Sequence, residues 1–326
     1  AILRQARLLR DMNEAERVKI INKLIYDAAK EYWEWYFAYQ RYKFIRTGVE
    51  LADARVQFVR QRIAIGEEPP IDSTEAIINY QNRLVAFEQA KMDYINSNLR
   101  LSNFLWNQQE VPVELDTNVL PQPFVKININ KDSLVESLTN NSRVNHPEII
   151  KLNRKIDQIT IERRLAFENF KPGINLNYNV LWPGNYSPLS YERNDFYDNY
   201  KAGFEVNFPL LFRKERAKWQ TTKIKMQQTK FERAYTLRFI QNNIKAFGNE
   251  LQTYYNLLNN QSTLVTGYTV LRDGEATKFD NGESSLFLVN TRENSLIEAQ
   301  IKLAEIESKF EKARAGLYWA AGQYTY

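Results

Sequence analysis

Helix breakers are almost missing from the first 65 residues of this chain. No proline occurs before Pro69, and residues 1 to 172 contain only Gly48 and Gly66. From "AILRQARLLRDMNEAERVKI" to "VRQRIAIG" nothing stops a helix, and a helix of that length spans roughly 100 Å. "GEEPPIDSTEA" then ends it. Gly66 can take a positive φ, Pro69 and Pro70 bar continuation, and Asp72 or Ser73 can N-cap a return helix. That return runs from about Ser73 to Trp106, roughly 50 Å. No single globule can bury the apolar stripe of so long a helix. It has to pack laterally against similar helices, as in a coiled coil or a helical tube.

One stretch breaks the helical pattern. In "KPGINLNYNVLW", residues 171 to 182, the side chains alternate. Ile174, Leu176, Tyr178, Val180 and Trp182 share one face, and Asn175, Asn177 and Asn179 share the other. The pattern returns in "YKAGFEVNF": Tyr200, Ala202, Phe204, Val206 and Phe208 oppose Lys201, Gly203, Glu205 and Asn207. Strands of about ten residues with one apolar and one polar face match the transmembrane β-barrel pattern. Trp182, Tyr186, Tyr191, Phe196, Tyr197 and Tyr200 sit around the hairpin loop, where an aromatic girdle belongs. The competing reading is a hairpin on a soluble core. That core is hard to find, because the flanking helices far outlast the strands. Two strands cannot close a barrel, and open edges in lipid are not allowed. Closure therefore needs more strands and further copies of the chain.

The chain repeats itself. An offset of 216 residues brings Ala1 onto Ala217, Glu16 onto Glu232, Tyr39 onto Tyr255 and Gly66-Glu67 onto Gly282-Glu283 without a gap. Each half has a long helix, a Gly-Glu turn and a return helix ending at a bulky pair closed by tryptophan, Leu105-Trp106 or Tyr318-Trp319. The second long helix should run from about Glu215 to Phe279, with its return from about Leu286 to Trp319. The expected organisation is a first long hairpin over 1–106 and a mixed segment over 107–146. A helix over 147–170, opened by Pro147, and a strand pair over 171–212 follow. The second hairpin and closing segment occupy 213–326. In the mixed segment "VPVELDTNVLPQP" and "FVKININKD" read as short extended pieces, with a small helix near Ser133 to Asn140. The second long helix is preceded by a helix and a strand pair, so the repeat predicts the same before residue 1, together with a secretory signal.

Composition narrows the chemistry. There is no cysteine, which excludes thiolate catalysis and a disulfide framework. A single histidine, His146, excludes a multi-histidine metal site. The net charge is +5, with both signs mixed along the helices. No basic block or base-stacking module stands out, so no nucleic-acid partner is expected. No phosphate-cradling glycine loop or nucleophile elbow is found either, and neither an enzyme nor a cofactor is expected. No run of 18 apolar residues crosses a membrane as a helix. "EYWEWYFAYQRYKF", residues 31 to 44, is dense in aromatics on more than one helix face. It either packs between neighbouring helices or docks another protein.

These features in this order resemble a TolC-type outer-membrane efflux protein. The resemblance rests on the twofold repeat, on the strand pair entered by "KPGINLNY" and left through "FPLLF", and on the turn and return "FDNGESSLFLVNTRENSLIEAQ". "IGEEPPIDSTEAIINYQNRL" is similar to the first-repeat version, "NHPEI" to a helix start and "AAGQ" to the closing segment. The chain departs from the family in lacking a first helix and first strand pair. Some members also ring their closed tip with aspartates. The comparable positions here are near Leu288 and Thr291, which are uncharged, and the local acids are Glu67, Glu68, Asp72 and Glu283.

The resemblance implies a mainly α fold with a membrane β-hairpin: a long α-helical barrel in the periplasm and a trimeric β-barrel in the outer membrane. It implies a homotrimer in contact with outer-membrane lipid. A periplasmic adaptor would join it to an inner-membrane transporter that supplies the energy. The function implied is passive conduction, as the exit duct of a tripartite efflux or type I secretion system. Asn175, Asn177, Asn179, Lys201, Glu205 and Asn207 would line the barrel lumen. Ile174, Leu176, Tyr178, Val180, Phe204, Val206 and Phe208 would face lipid. Gly66, Glu67, Asp72, Gly282, Glu283, Leu288 and Thr291 are the tip and gate candidates, with Asp72 either a charged ring or a helix cap. The rival reading is a soluble long-helix scaffold or membrane-remodelling protein, which has no use for a lipid-facing hairpin.

Overall fold

The computed structural model describes residues 2–116, 119–128, 130–180, 200–207 and 212–323. In chain order the elements are α1 (Ile2–Ala64), α2 (Pro70–Ser102), α3 (Lys131–Asn145), α4 (Pro147–Glu168), β1 (Gly173–Val180), β2 (Tyr200–Asn207), α5 (Arg213–Asp280) and α6 (Leu286–Ala320). The repeat is visible in the bounds: the ends of α1 and α5, and the starts of α2 and α6, both differ by the 216 residues found in the sequence.

Both long helices stop in the same way. Gly66 N–H donates to the Ile63 carbonyl at 3.0 Å and Glu67 N–H to the Arg62 carbonyl at 2.9 Å. At the second turn Gly282 donates to Phe279 at 3.0 Å and Glu283 to Lys278 at 2.8 Å. This is the Schellman arrangement, which needs a left-handed residue just past the helix. Gly66 and Gly282 supply it, with φ of 78° and 77°. The returns start differently. Ser285 caps α6 by accepting from Leu288 N–H. At α2 the expected cap by Asp72 or Ser73 is not made. Pro70 opens the helix after Pro69, with no side-chain cap, and Asp72 lies inside the first turn. Two prolines fix φ for a helix start by themselves, and a missing N–H needs no acceptor there.

The chain divides into two compact units. The first holds residues 1–16 and 148–236. In it α4 is tied to the beginning of α1 by Lys151–Glu16 at 2.6 Å and Arg154–Asp11 at 3.6 Å. It is tied to α5 by Arg233 Nε donating to Asn153 at 2.6 Å and by Lys155–Glu232 at 3.5 Å. Ile149, Leu152, Ile159 and Ala166 form its buried stripe, spaced three and seven apart as a helix seam requires. The strand pair belongs to this unit.

The second unit holds residues 17–147 and 237–326. Its α1 portion buries Ala38, Ile45, Ala52 and Val59 at strict seven-residue spacing. The aromatic stretch of α1 packs inward: Trp33, Trp35 and Tyr36 are buried, Tyr42 stacks on Tyr94 of α2, and Tyr36 donates to Glu307 of α6 at 2.6 Å. Most of the expected extended structure between 107 and 130 is absent. Among the described residues only an isolated bridge joins Trp106 and Pro112, because Pro112, Pro121 and Pro123 lack the N–H that a ladder needs. α2 ends at Ser102, before Trp106, and α3 is longer than expected, capped by the Asn130 side chain.

Candidate functional site

β1 and β2 pair antiparallel, with Ile174 opposite Val206, Leu176 opposite Phe204, Tyr178 opposite Ala202 and Val180 opposite Tyr200. The other face pairs Asn175 with Glu205, Asn177 with Gly203, Asn179 with Lys201 and Gly173 with Asn207. Directly opposed residues lie on the same side of a sheet. The register therefore gathers every expected apolar residue of the described pair on one face and every expected polar one on the other. Tyr178 and Tyr200 stack at 5.6 Å across that apolar face, and Asn207 donates to Glu205 at 2.9 Å on the polar one. Neither face is covered: Leu176 is 80% exposed and Phe204 68%. The Val180 side chain, Phe208, Trp182 and the loop aromatics Tyr186, Tyr191, Phe196 and Tyr197 lie outside the described residues.

At the foot of the strands Phe170 stacks on Phe212 at 5.9 Å, with Phe167 at 6.1 Å beyond it. Phe212 adopts φ of 46°, a costly conformation for a bulky residue. Its carbonyl accepts from Arg216 N–H at 2.9 Å as α5 begins.

The tip candidates lie at the two turns of the second unit. Glu67 and Glu68 both reach Arg62, at 3.2 and 3.6 Å. A hydrogen bond with the Asp72 carboxyl, reinforced by burial, holds Glu68 above the usual carboxylate range, with Arg62 opposing. Glu283 and Leu288 are exposed, and the Thr291 hydroxyl is bonded to the Phe287 carbonyl of its own helix at 2.8 Å. Behind the turns Val56, Val59, Ala76, Phe279, Leu286 and Val289 form one apolar cluster shared by α1, α2, α5 and α6.

Sequence reasoning missed a buried charge network further along these helices. Glu293 of α6, 4% exposed, takes Arg55 of α1 at 2.5 Å and Arg83 of α2 at 3.0 Å. Arg83 also donates to the Gly48 carbonyl at 2.7 Å and to Asn294 at 3.1 Å. Gly48 is a glycine for space: a Cβ there would lie 2.8 Å from Ile297 Cδ1 and 3.8 Å from Arg83 Nη1. A heptad drawing would have flagged Arg83, which shares its register with the buried Ala76, Ala90 and Ser97. Among the described residues no group of three or more metal-ligating side chains gathers.

The backbone as a whole matches solved bacterial outer-membrane channels. CmeC of Campylobacter jejuni superimposes with a TM-score of 0.75 over 98% of this chain and 66% of its own, at 14% identity. The chain has the fold of TolC-type outer-membrane channels. VceC of Vibrio cholerae gives a TM-score of 0.76, 14% identity and coverages of 98% and 74%. The open state of MtrE of Neisseria gonorrhoeae gives 0.76, 14%, 98% and 70%. The chain thus spans about two thirds to three quarters of the length of these channel proteins. No protein-family model and no curated protein matches the sequence.

Proposed function

We propose that the chain builds the wall of an outer-membrane channel that conducts solutes or secreted proteins passively out of the periplasm. The observation that carries this reading is the strand pair, which separates apolar from polar side chains completely and leaves both faces bare. A two-stranded ribbon of this kind is marginal in water. Lipid on one face and a water-filled lumen on the other satisfy it. Ile174, Leu176, Tyr178, Phe204 and Val206 then face lipid, and Asn175, Asn177, Asn179, Lys201, Glu205 and Asn207 face the lumen. No helix among the described residues is long and apolar enough to cross a membrane.

The helices support assembly of several copies. α2 buries Ala76, Arg83, Ala90 and Ser97 on one stripe. Ile71, Ile78, Val85, Met92 and Leu99 follow the same seven-residue spacing on another and are all exposed. Positions 76 and 78 lie about 200° apart around a helix, so the two stripes are nearly opposite. A helix apolar on both sides is a stave in a wall, with neighbours on each flank. Three copies closing on themselves form the tube, and every copy contributes strands to one barrel. The two Gly-Glu turns form its periplasmic tip. A periplasmic adaptor and an inner-membrane transporter supply the coupling and the energy, a reading that rests on fold-level analogy.

Phe204→Arg places a charge on the lipid face and costs about 2–4 kcal/mol near mid-membrane. It should abolish insertion into bilayers. Asn177→Arg, on the lumen face, should insert and change single-channel conductance. Normal insertion of the first with failure of the second reverses the assignment of the faces.

A further inference from the structure

The basic charge of the chain is concentrated. Between Arg213 and Arg233 eight lysines and arginines stand against two glutamates. This stretch opens α5 directly after the strand pair, and α4 carries Arg163 and Arg164 in its last turns before β1. A cleft of about 870 Å³ lies among these elements, lined by Arg4, Arg163, Arg164, Leu165, Phe167 and Trp219 among others. Arg163 approaches the Met226 sulfur at 3.7 Å. None of the three arginines has a carboxylate partner among the described residues. Glu168 also borders the cleft, but Lys171 neutralises it at 2.6 Å.

Position decides what such a cleft can hold. Arg164 lies four residues from the end of α4, about 6 Å along the axis, and Trp219 six residues into α5, about 9 Å. The polar layer on each side of a bilayer's hydrocarbon core is about 5–7 Å deep. If the strands cross the hydrocarbon, Arg164 and its neighbour Arg163 stand at the depth of lipid phosphates, and Arg4 shares their cleft. Phe167, one residue from the end of α4, and Leu165, three from it, then stand on the hydrocarbon side of Arg164, where the first acyl carbons begin, while Trp219 borders the cleft on its outer side. Guanidinium forks match phosphate oxygens in geometry and charge.

We propose that this cleft binds the phosphate of an anionic glycerophospholipid headgroup, with Phe167 and Leu165 taking the start of the acyl chains. The proposal rests on the outer-membrane reading of the strand pair, and the experiment keeps the two apart. Dihexanoyl phosphatidylglycerol, dihexanoyl phosphatidylcholine and inorganic phosphate are titrated separately into the detergent-solubilised chain, with binding read by native mass spectrometry. Flotation with neutral phosphatidylcholine vesicles reads insertion independently. Phosphatidylglycerol should saturate one site per chain, at least tenfold tighter than the other two. The double variant Arg163→Gln/Arg164→Gln should weaken it by about fivefold for each arginine, with unchanged helical circular dichroism and unchanged flotation. Arg4→Gln, on a different helix, should weaken it by a similar single step. Equal affinity for phosphatidylcholine, or no effect of either variant, overturns the site. Inorganic phosphate binding as tightly as the lipid makes it a free-anion site and overturns the lipid assignment. If the wild type fails to float while the variants still lose phosphatidylglycerol, the membrane reading of the strands fails and the cleft stands.

Discussion

Removing Glu293 should be far more damaging than removing a charge from the surface of the same helix. Its side chain is 5% exposed, and among the described residues it is the only carboxylate paired with Arg83, itself 8% exposed. In Glu293→Ala, Arg83 stays buried with two neutral acceptors, the Gly48 carbonyl and the Asn294 side chain. Breaking a buried pair from one side costs about 3–5 kcal/mol, because the surviving charge is stranded. Arg55, on the other side of Glu293, is 17% exposed and can turn toward water. For a unit of roughly 200 residues this corresponds to a fall in melting temperature of about 6–20 °C. The comparison is Lys302→Ala, which breaks a pair with Glu305 whose side chains are 56% and 28% exposed; such pairs contribute about 0.2–1 kcal/mol. Melts at 222 nm in detergent, at one fixed scan rate, measure both. Added salt should narrow the gap little, since buried pairs are weakly screened. The double variant Arg83→Met/Glu293→Met removes both buried charges and should recover most of the loss. If Glu293→Ala melts with Lys302→Ala, or if the double variant is as unstable as the single, stranded charge is not what the network prevents.

Burial raises the Glu311 carboxyl to about 7, despite the Arg314 guanidinium 2.8 Å away. Its folded form therefore holds a proton that the unfolded form has lost above about pH 4.5, so its contribution to stability declines as pH rises from about 4.5 to 7. Glu311→Gln should flatten that part of the stability–pH curve and melt higher than the parent at pH 8. Gly66→Ala and Gly282→Ala should each cost about 1–2 kcal/mol through the left-handed backbone, with equal effects because neither site has an atom within 4 Å of the added methyl; thermal melts compare them. Val85→Lys on the bare stripe of α2, 72% exposed, should leave helical content unchanged and shift sedimentation in detergent from the proposed trimer to monomer.

The parts legible in the sequence were those with local causes. Glycine at 66 and 282 fixes where the long helices stop, and strict alternation fixes the strand faces. Both survive into the structure with bounds moved by only a few residues. Local pattern misled between 107 and 130, where Val, Ile and Asn mimic strands but prolines remove the donors and, among the described residues, no partner strand lies alongside. It also misled at Asp72, whose residue type suits a cap. A proline pair had already started the helix, which leaves that carboxyl to meet Glu68. The basic opening of α5 passed for mixed helix surface, because its meaning depends on lying beside Arg163 and Arg164 at the foot of the strands.

Glu293 and Arg83 show the limit of a one-dimensional reading. They stand 210 residues apart, and nothing local to either names the other. What a sequence can show is that each occupies a seam position otherwise held by small or apolar side chains. The exposed stripe of α2 has the same period and is left uncovered by the described residues. A sevenfold spacing kept over Ile71, Ile78, Val85, Met92 and Leu99 is what lateral packing of helices requires. An isolated, water-facing surface imposes no such period. The same logic applies to β1 and β2, whose segregated faces have no use until something covers them. In helix and strand alike the chain shows a regular surface built for contact, and the proposed channel completes both with neighbouring copies and with lipid.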